Sequence, residues 1–85
     1  MTQQSFLIEE KEYEKRLATL LQHKLRIVVR CYTILNLEID YDNHTFNFSK
    51  SHWIKGFRMD DPKTYNGKYV ANKQDGGKIE LTIYV

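Results

Sequence analysis

Eighty-five residues, 41% of them hydrophobic and 13% aromatic, suit one folded domain with a modest core and exclude a disordered tail. Cys31 is the single cysteine, so no internal disulfide can form, and a net charge of +2 neither requires nor excludes a nucleic-acid partner. No apolar run approaches the roughly 20 residues that span a bilayer, and no N-terminal run reads as a signal peptide, so none is expected; a cytoplasmic protein with no membrane contact is expected.

In chain order, residues 1–5 are polar and expected to be loose, with Ser5 a candidate N-cap that lacks a capping box. From about Glu9 the spacing is helical: Tyr13, Leu17, Leu20 and Leu21 recur three and four apart, with Lys15, Arg16, Thr19 and Gln22 opposite. Acid comes first along this stretch (Glu9, Glu10, Glu12, Glu14) and base follows (Lys15, Arg16, Lys24, Arg26, Arg30), as the helix dipole favours.

Residues 27–34 admit two readings. Continued helically, Val28, Cys31, Tyr32 and Leu35 extend the apolar face, and Asn36 is an acceptable left-handed cap. Read as a strand, Ile27, Val29, Cys31, Leu35, Leu37, Ile39 and Tyr41 share a face, and the β-branched density supports this. A strand from 27 to 41 would be unusually long, so the single helix ending near Leu35 is the preferred expectation.

From Leu37 the period is two: Leu37, Ile39 and Tyr41 alternate with Glu38, Asp40 and Asp42. Asp42-Asn43-His44 supplies a turn and Thr45-Phe46-Asn47-Phe48 alternates again, giving a hairpin. Ser49 to Met59, with Trp53, Ile54 and Phe57 around Gly56, reads as a short strand or an irregular crossing. Asp60-Asp61-Pro62 reads as a loop, and Tyr65-Asn66-Gly67-Lys68-Tyr69 as a second hairpin. Asp75-Gly76-Gly77 is a turn into a final strand whose face is Ile79, Leu81, Ile83 and Val85; that strand is expected inside the sheet. The expected fold is α+β over residues 1–85, one N-terminal amphipathic helix packed on a mostly antiparallel sheet of four to five strands.

No residue pattern supplies a catalytic constellation. Glu38, Asp40 and Asp42 line one strand face as a solvated polar surface, and Asp40-x-Asp42-x-His44 faintly echoes the start of a calcium loop, but Thr45 stands where glycine is needed. Cys31, His23, His44 and His52 lack ligand spacing. Neither metal, cofactor nor enzymatic activity is expected. Two interaction readings remain. A helix running to Leu35 would span roughly 40 Å and overhang a small sheet, leaving an apolar face (Tyr13, Leu17, Leu21, Val28) for another protein or a second copy in a homodimer. That describes a small interaction or regulatory domain, of a kind common among accessory proteins of mobile elements. The alternative is nucleic-acid binding by the basic aromatic stretch 46–68, through Lys50, Trp53, Lys55, Phe57 and Arg58. A short domain needs most of its rings inside, so the default expectation is that these rings are core and these lysines ordinary surface.

Overall fold

The computed structural model describes residues 2–85. A strand β1 (Gln3–Glu9) leads through a 3₁₀ turn (Glu10–Glu12) into the helix α1 (Tyr13–Val28). Four strands follow: β2 (Thr33–Asp40), β3 (Thr45–Ile54), β4 (Phe57–Gln74) and β5 (Lys78–Tyr84). They form one antiparallel sheet in the order β1-β5-β4-β3-β2, and the helix packs against it. The α+β architecture expected from the sequence is present, with a strand ahead of the helix.

Residues 3–5 are therefore not a loose tail, and Ser5 is not an N-cap. Ser5 lies in β1 opposite Thr82, and the two hydroxyls hydrogen-bond at 2.9 Å. The strand has a period of two, with Gln4, Phe6 and Ile8 more covered than their neighbours, as expected of an edge strand with one face on the core. Beside it Lys78 pairs with Glu9, whose carboxyl is held below its ordinary range chiefly by that hydrogen bond.

The helix ends at Val28, seven residues before Leu35. Arg30 has φ +53°. The Arg30 N–H donates to the Ile27 carbonyl at 3.3 Å, and the Cys31 N–H to the Arg26 carbonyl at 3.2 Å. These two bonds make the Schellman closure, in which a left-handed residue satisfies the last helical carbonyls. Neither reading of 27–34 is right as a whole: the segment is helix to Val28, a cap, then strand from Thr33. Asn36 is left-handed, at φ +53°, as a bulge inside β2 where the register against β3 slips between Leu35 and Glu38.

Leu17, Leu21 and Leu25 on the helix meet Ile34, Phe46, Phe48, Tyr69, Ile79, Leu81 and Ile83 on the sheet, with Ile8 from β1. These side chains are the core. β5 lies within the sheet, bonded on both sides, as expected. The β2–β3 turn is an Asx arrangement: the Asp40 carboxylate accepts the N–H groups of Asp42 and Asn43 at 3.1 Å each. The Asn43 side-chain amide also donates to it at 2.8 Å, and that bond first, then the backbone N–H groups, hold the Asp40 carboxyl below its ordinary range; His44 stacks on Tyr69 with centroids 4.7 Å apart.

Two expectations beyond Phe48 are corrected. Asp60-Asp61-Pro62 is not a loop and Asn66-Gly67 is not a turn, because β4 runs unbroken from Phe57 to Gln74. Pro62 falls where β4 bulges between the pairs Lys50–Asp61 and Phe48–Tyr65, the kind of place a strand tolerates a residue without an N–H. The turn lies at Lys55-Gly56 instead, with φ +50° and +81°, the two left-handed residues of a type I′ hairpin.

Candidate interaction surface

The β3–β4 hairpin outruns the sheet. β2 pairs with β3 only as far as Thr33–Ser51, and β5 pairs with β4 only over Lys68–Gln74. His52 to Ile54 and Phe57 to Met59 therefore have no strand partner except each other. The molecule measures 47 × 24 × 23 Å along its principal axes, in keeping with a projecting ribbon.

The register gives the ribbon two faces, because residues directly opposite in an antiparallel pair share a side. Ile54 lies opposite Phe57 and His52 opposite Met59; on the other face Trp53 lies opposite Arg58 and Ser51 opposite Asp60. Phe57 is 72% exposed and Trp53 58%, and Ile54 and Met59 are also well exposed. Tyr32, whose N–H donates to the Ser51 carbonyl at 2.8 Å, lays its ring against Trp53 with centroids 5.2 Å apart. At the ribbon's base the Ser51 side chain is fully buried.

The cations here are mostly engaged. The Arg58 Nε donates to Asp60 at 3.0 Å. The Lys50 and Lys63 ammonium groups sit 4.6 and 5.1 Å from the centroid of the Tyr65 ring, and the Tyr65 hydroxyl donates to Asp61 at 2.6 Å. That bond, then the Lys63 N–H, hold the Asp61 carboxyl below its ordinary range, and the same bond raises the Tyr65 phenol. Lys55, in the turn, is exposed.

Lys50, Trp53, Lys55, Phe57 and Arg58, grouped from the sequence, thus belong to one ribbon, and the default expectation of buried rings fails for Trp53 and Phe57. It holds for Phe46 and Phe48, which are buried, and Tyr65 is half-buried against the core. The Tyr69 phenol is pushed well up, first by burial and then by the nearby Tyr13 hydroxyl. The helix residues are differently placed. Leu17 and Leu21 are fully buried in this chain's own core, and Tyr13 and Val28 are half-buried against it. The apolar stripe packs on the sheet, and a helix of 16 residues spans roughly 24 Å rather than about 40 Å.

Tyr32, Ile54 and Met59 are not among the site residues that the sequence suggests. Lys55-Gly56 was the available signal, since a hairpin centred there puts Ile54 and Phe57 beside its tip. A concavity between the start of α1 and the β2–β3 turn is lined by Glu10, Tyr13, Glu14, His44 and Lys73 among others. Two of these, Lys73 and Glu10, are paired with each other at 3.0 Å. No helix among the described residues is long and apolar enough to cross a membrane. No protein-family model, curated protein or solved structure matches the chain.

Proposed function

We propose that the chain is a small non-enzymatic protein-interaction domain, acting in the cytoplasm, that holds its partner with the β3–β4 ribbon. One observation carries this: four large apolar side chains are exposed on an element that adds little to the core, Ile54, Phe57 and Met59 on one face and Trp53 on the other. Apolar area left in water is a standing cost of about 25 cal/mol per Å², and contiguous patches of it mark interaction sites. The composition also fits, since aromatic residues, Met and Arg are enriched at interfaces while free lysines are depleted. A regulatory or accessory role follows the same logic, because a domain of this size offers a surface more readily than a cleft.

Nucleic-acid binding by the same ribbon is the second reading, favoured by the proximity of Trp53, Phe57, Lys55 and Arg58. Against it, Arg58 is paired with Asp60, two lysines lie over Tyr65, and Ile54 and Met59 have no ring to stack on bases. Such binding would weaken steeply with salt.

The test is capture from the source cell's lysate, after nuclease treatment and at moderate salt, by the wild-type chain and by a Trp53→Ser, Phe57→Ser variant. A protein retained by the wild type and lost by the variant supports the interaction reading. Equal retention by both would put the contact elsewhere and overturn it. Companions that vanish on nuclease treatment would transfer the ribbon to the second reading.

A further inference from the structure

We infer that the ribbon's partner is a second copy of this chain, joined by antiparallel pairing of the free β4 edge with itself about Met59. The inference rests on the reading of the ribbon as a protein-binding element and names its occupant. The directions of the backbone groups come first. The Ser51 carbonyl accepts the Tyr32 N–H, so it points toward β2 and away from β4. Ser51 lies opposite Asp60, which makes that pair a non-hydrogen-bonded one. The Asp60 N–H and C=O therefore point away from β3, to the side where β5 has not yet begun. Alternation along the continuous register gives Arg58 the same direction. The next residue in the series is Pro62, which has no N–H to offer.

The free edge thus presents two complete donor–acceptor sets, at Arg58 and Asp60, and then stops. Natural edges are usually blunted by inward charges, bulges, proline or cover; here the blunting begins only at Pro62, and Phe57 and Met59 flank the open groups. Two such edges related by a two-fold axis pair residues at equal distances either side of the axis. With the axis at Met59, Arg58 of each copy lies opposite Asp60 of the other, and all four open sets bond. Axes at Arg58 or Asp60 would set like charges opposite each other, and an axis at Asp61 would bring Pro62 against Asp60. The complementarity of Arg58 and Asp60, two apart on one face and paired with each other within the single chain, lets that pair be exchanged for the partner copy's and selects a single register. On the other face the two Met59 side chains meet with the Phe57 rings beside them. Asp61, opposite Phe57 in this arrangement, is drawn back along its own strand by the Tyr65 hydroxyl.

The full chain is examined by sedimentation velocity from about 10 µM to about 1 mM, the range of small transient interfaces. The expected result is a concentration-dependent shift from monomer to dimer. Arg58→Asp alone and Asp60→Arg alone each convert two attractive cross-strand pairs into repulsive ones and should weaken association about tenfold or more. The double exchange restores complementarity in the same register and should recover association. In a Cys31→Ser background, Met59→Cys should give a disulfide-linked dimer on mild oxidation. Residues opposite in a non-hydrogen-bonded pair are about 4.5 Å apart at Cα, within disulfide reach. Leu7→Cys, exposed on β1, should not. A monomer throughout the range, or a double exchange no better than the single reversals, overturns the inference. A monomeric wild type that still captures a lysate protein through Phe57 sinks self-pairing alone. A monomer that captures nothing removes the interaction reading with it.

Discussion

The Phe46 ring lies directly over Gly67: a Cβ added at Gly67 would stand 2.5 Å from Cζ of that ring and 2.7 Å from the Tyr84 carbonyl oxygen. The glycine is in mid-strand because a ring and a neighbouring backbone occupy the space a side chain would take. Gly67→Ala should therefore destabilise the fold by about 1–3 kcal/mol, the usual cost of overpacking. Urea denaturation measures it. An unchanged midpoint would mean that the ring moves aside freely.

At the C-terminus of α1, Arg30 occupies the left-handed position that glycine fills most easily. Its Cβ strain there is about 1–2 kcal/mol, partly offset by the extra unfolded-state freedom that glycine carries. Arg30→Gly should raise stability by about 0.5–1 kcal/mol, read as a higher thermal midpoint. A drop would show that the Arg30 side chain contributes more than its backbone strain costs.

Core and ribbon should separate cleanly under mutation. Leu21→Ala removes a fully buried side chain and should cost about 2–5 kcal/mol. Phe57→Ser changes a ring that is mostly in water and should stay within about 0.5 kcal/mol, while abolishing association. Paired denaturation curves and sedimentation runs check both. A large stability loss for Phe57→Ser would assign its ring to the fold.

The Asp61–Tyr65 hydrogen bond makes an acid-side prediction. The bond depresses the folded pKa of Asp61 below its ordinary 3.8, so its contribution to stability is complete above that value and is lost as pH falls through the depressed one. Tyr65→Phe should return the Asp61 titration, followed by NMR, toward the ordinary value and reduce the pH dependence of stability below about 4. An unmoved titration would leave the depression to the Lys63 N–H and the nearby cations.

Glu9 behaves in the same sense at the opposite end of the sheet. Its pKa is lowered chiefly by Lys78, so the bridge tying the end of β1 to β5 is intact above about 4.5 and weakens as pH falls through the depressed value. Amide exchange in β1 should accelerate in acid more than exchange in β4. Equal acceleration would show that β1 is held by its ladder alone.

Local pattern carried much of this architecture. The alternation through Leu37–Asp42 and Ile79–Val85, the turn at Asp42–His44, the paired glycines at 76 and 77, and the leucine stripe of α1 were legible because each is set by neighbours in the chain. Periodicity states which residues share a face. Whether another element covers that face is settled by partners far away in sequence. Ser5 becomes strand only because Thr82, 77 residues on, accepts it as a neighbour, and Asn66-Gly67 stays extended because Phe46 and Tyr84 pack against Gly67 from adjoining strands. Val28 ends its helix where the chain must turn back to lay β2 beside β3. The same limit applied to the candidate surface. The basic aromatic run was visible as a run, but only the register that carries β3 and β4 past the ends of β2 and β5 left Trp53 and Phe57 in water, while Leu17 and Leu21, equally apolar in the sequence, were covered by the sheet.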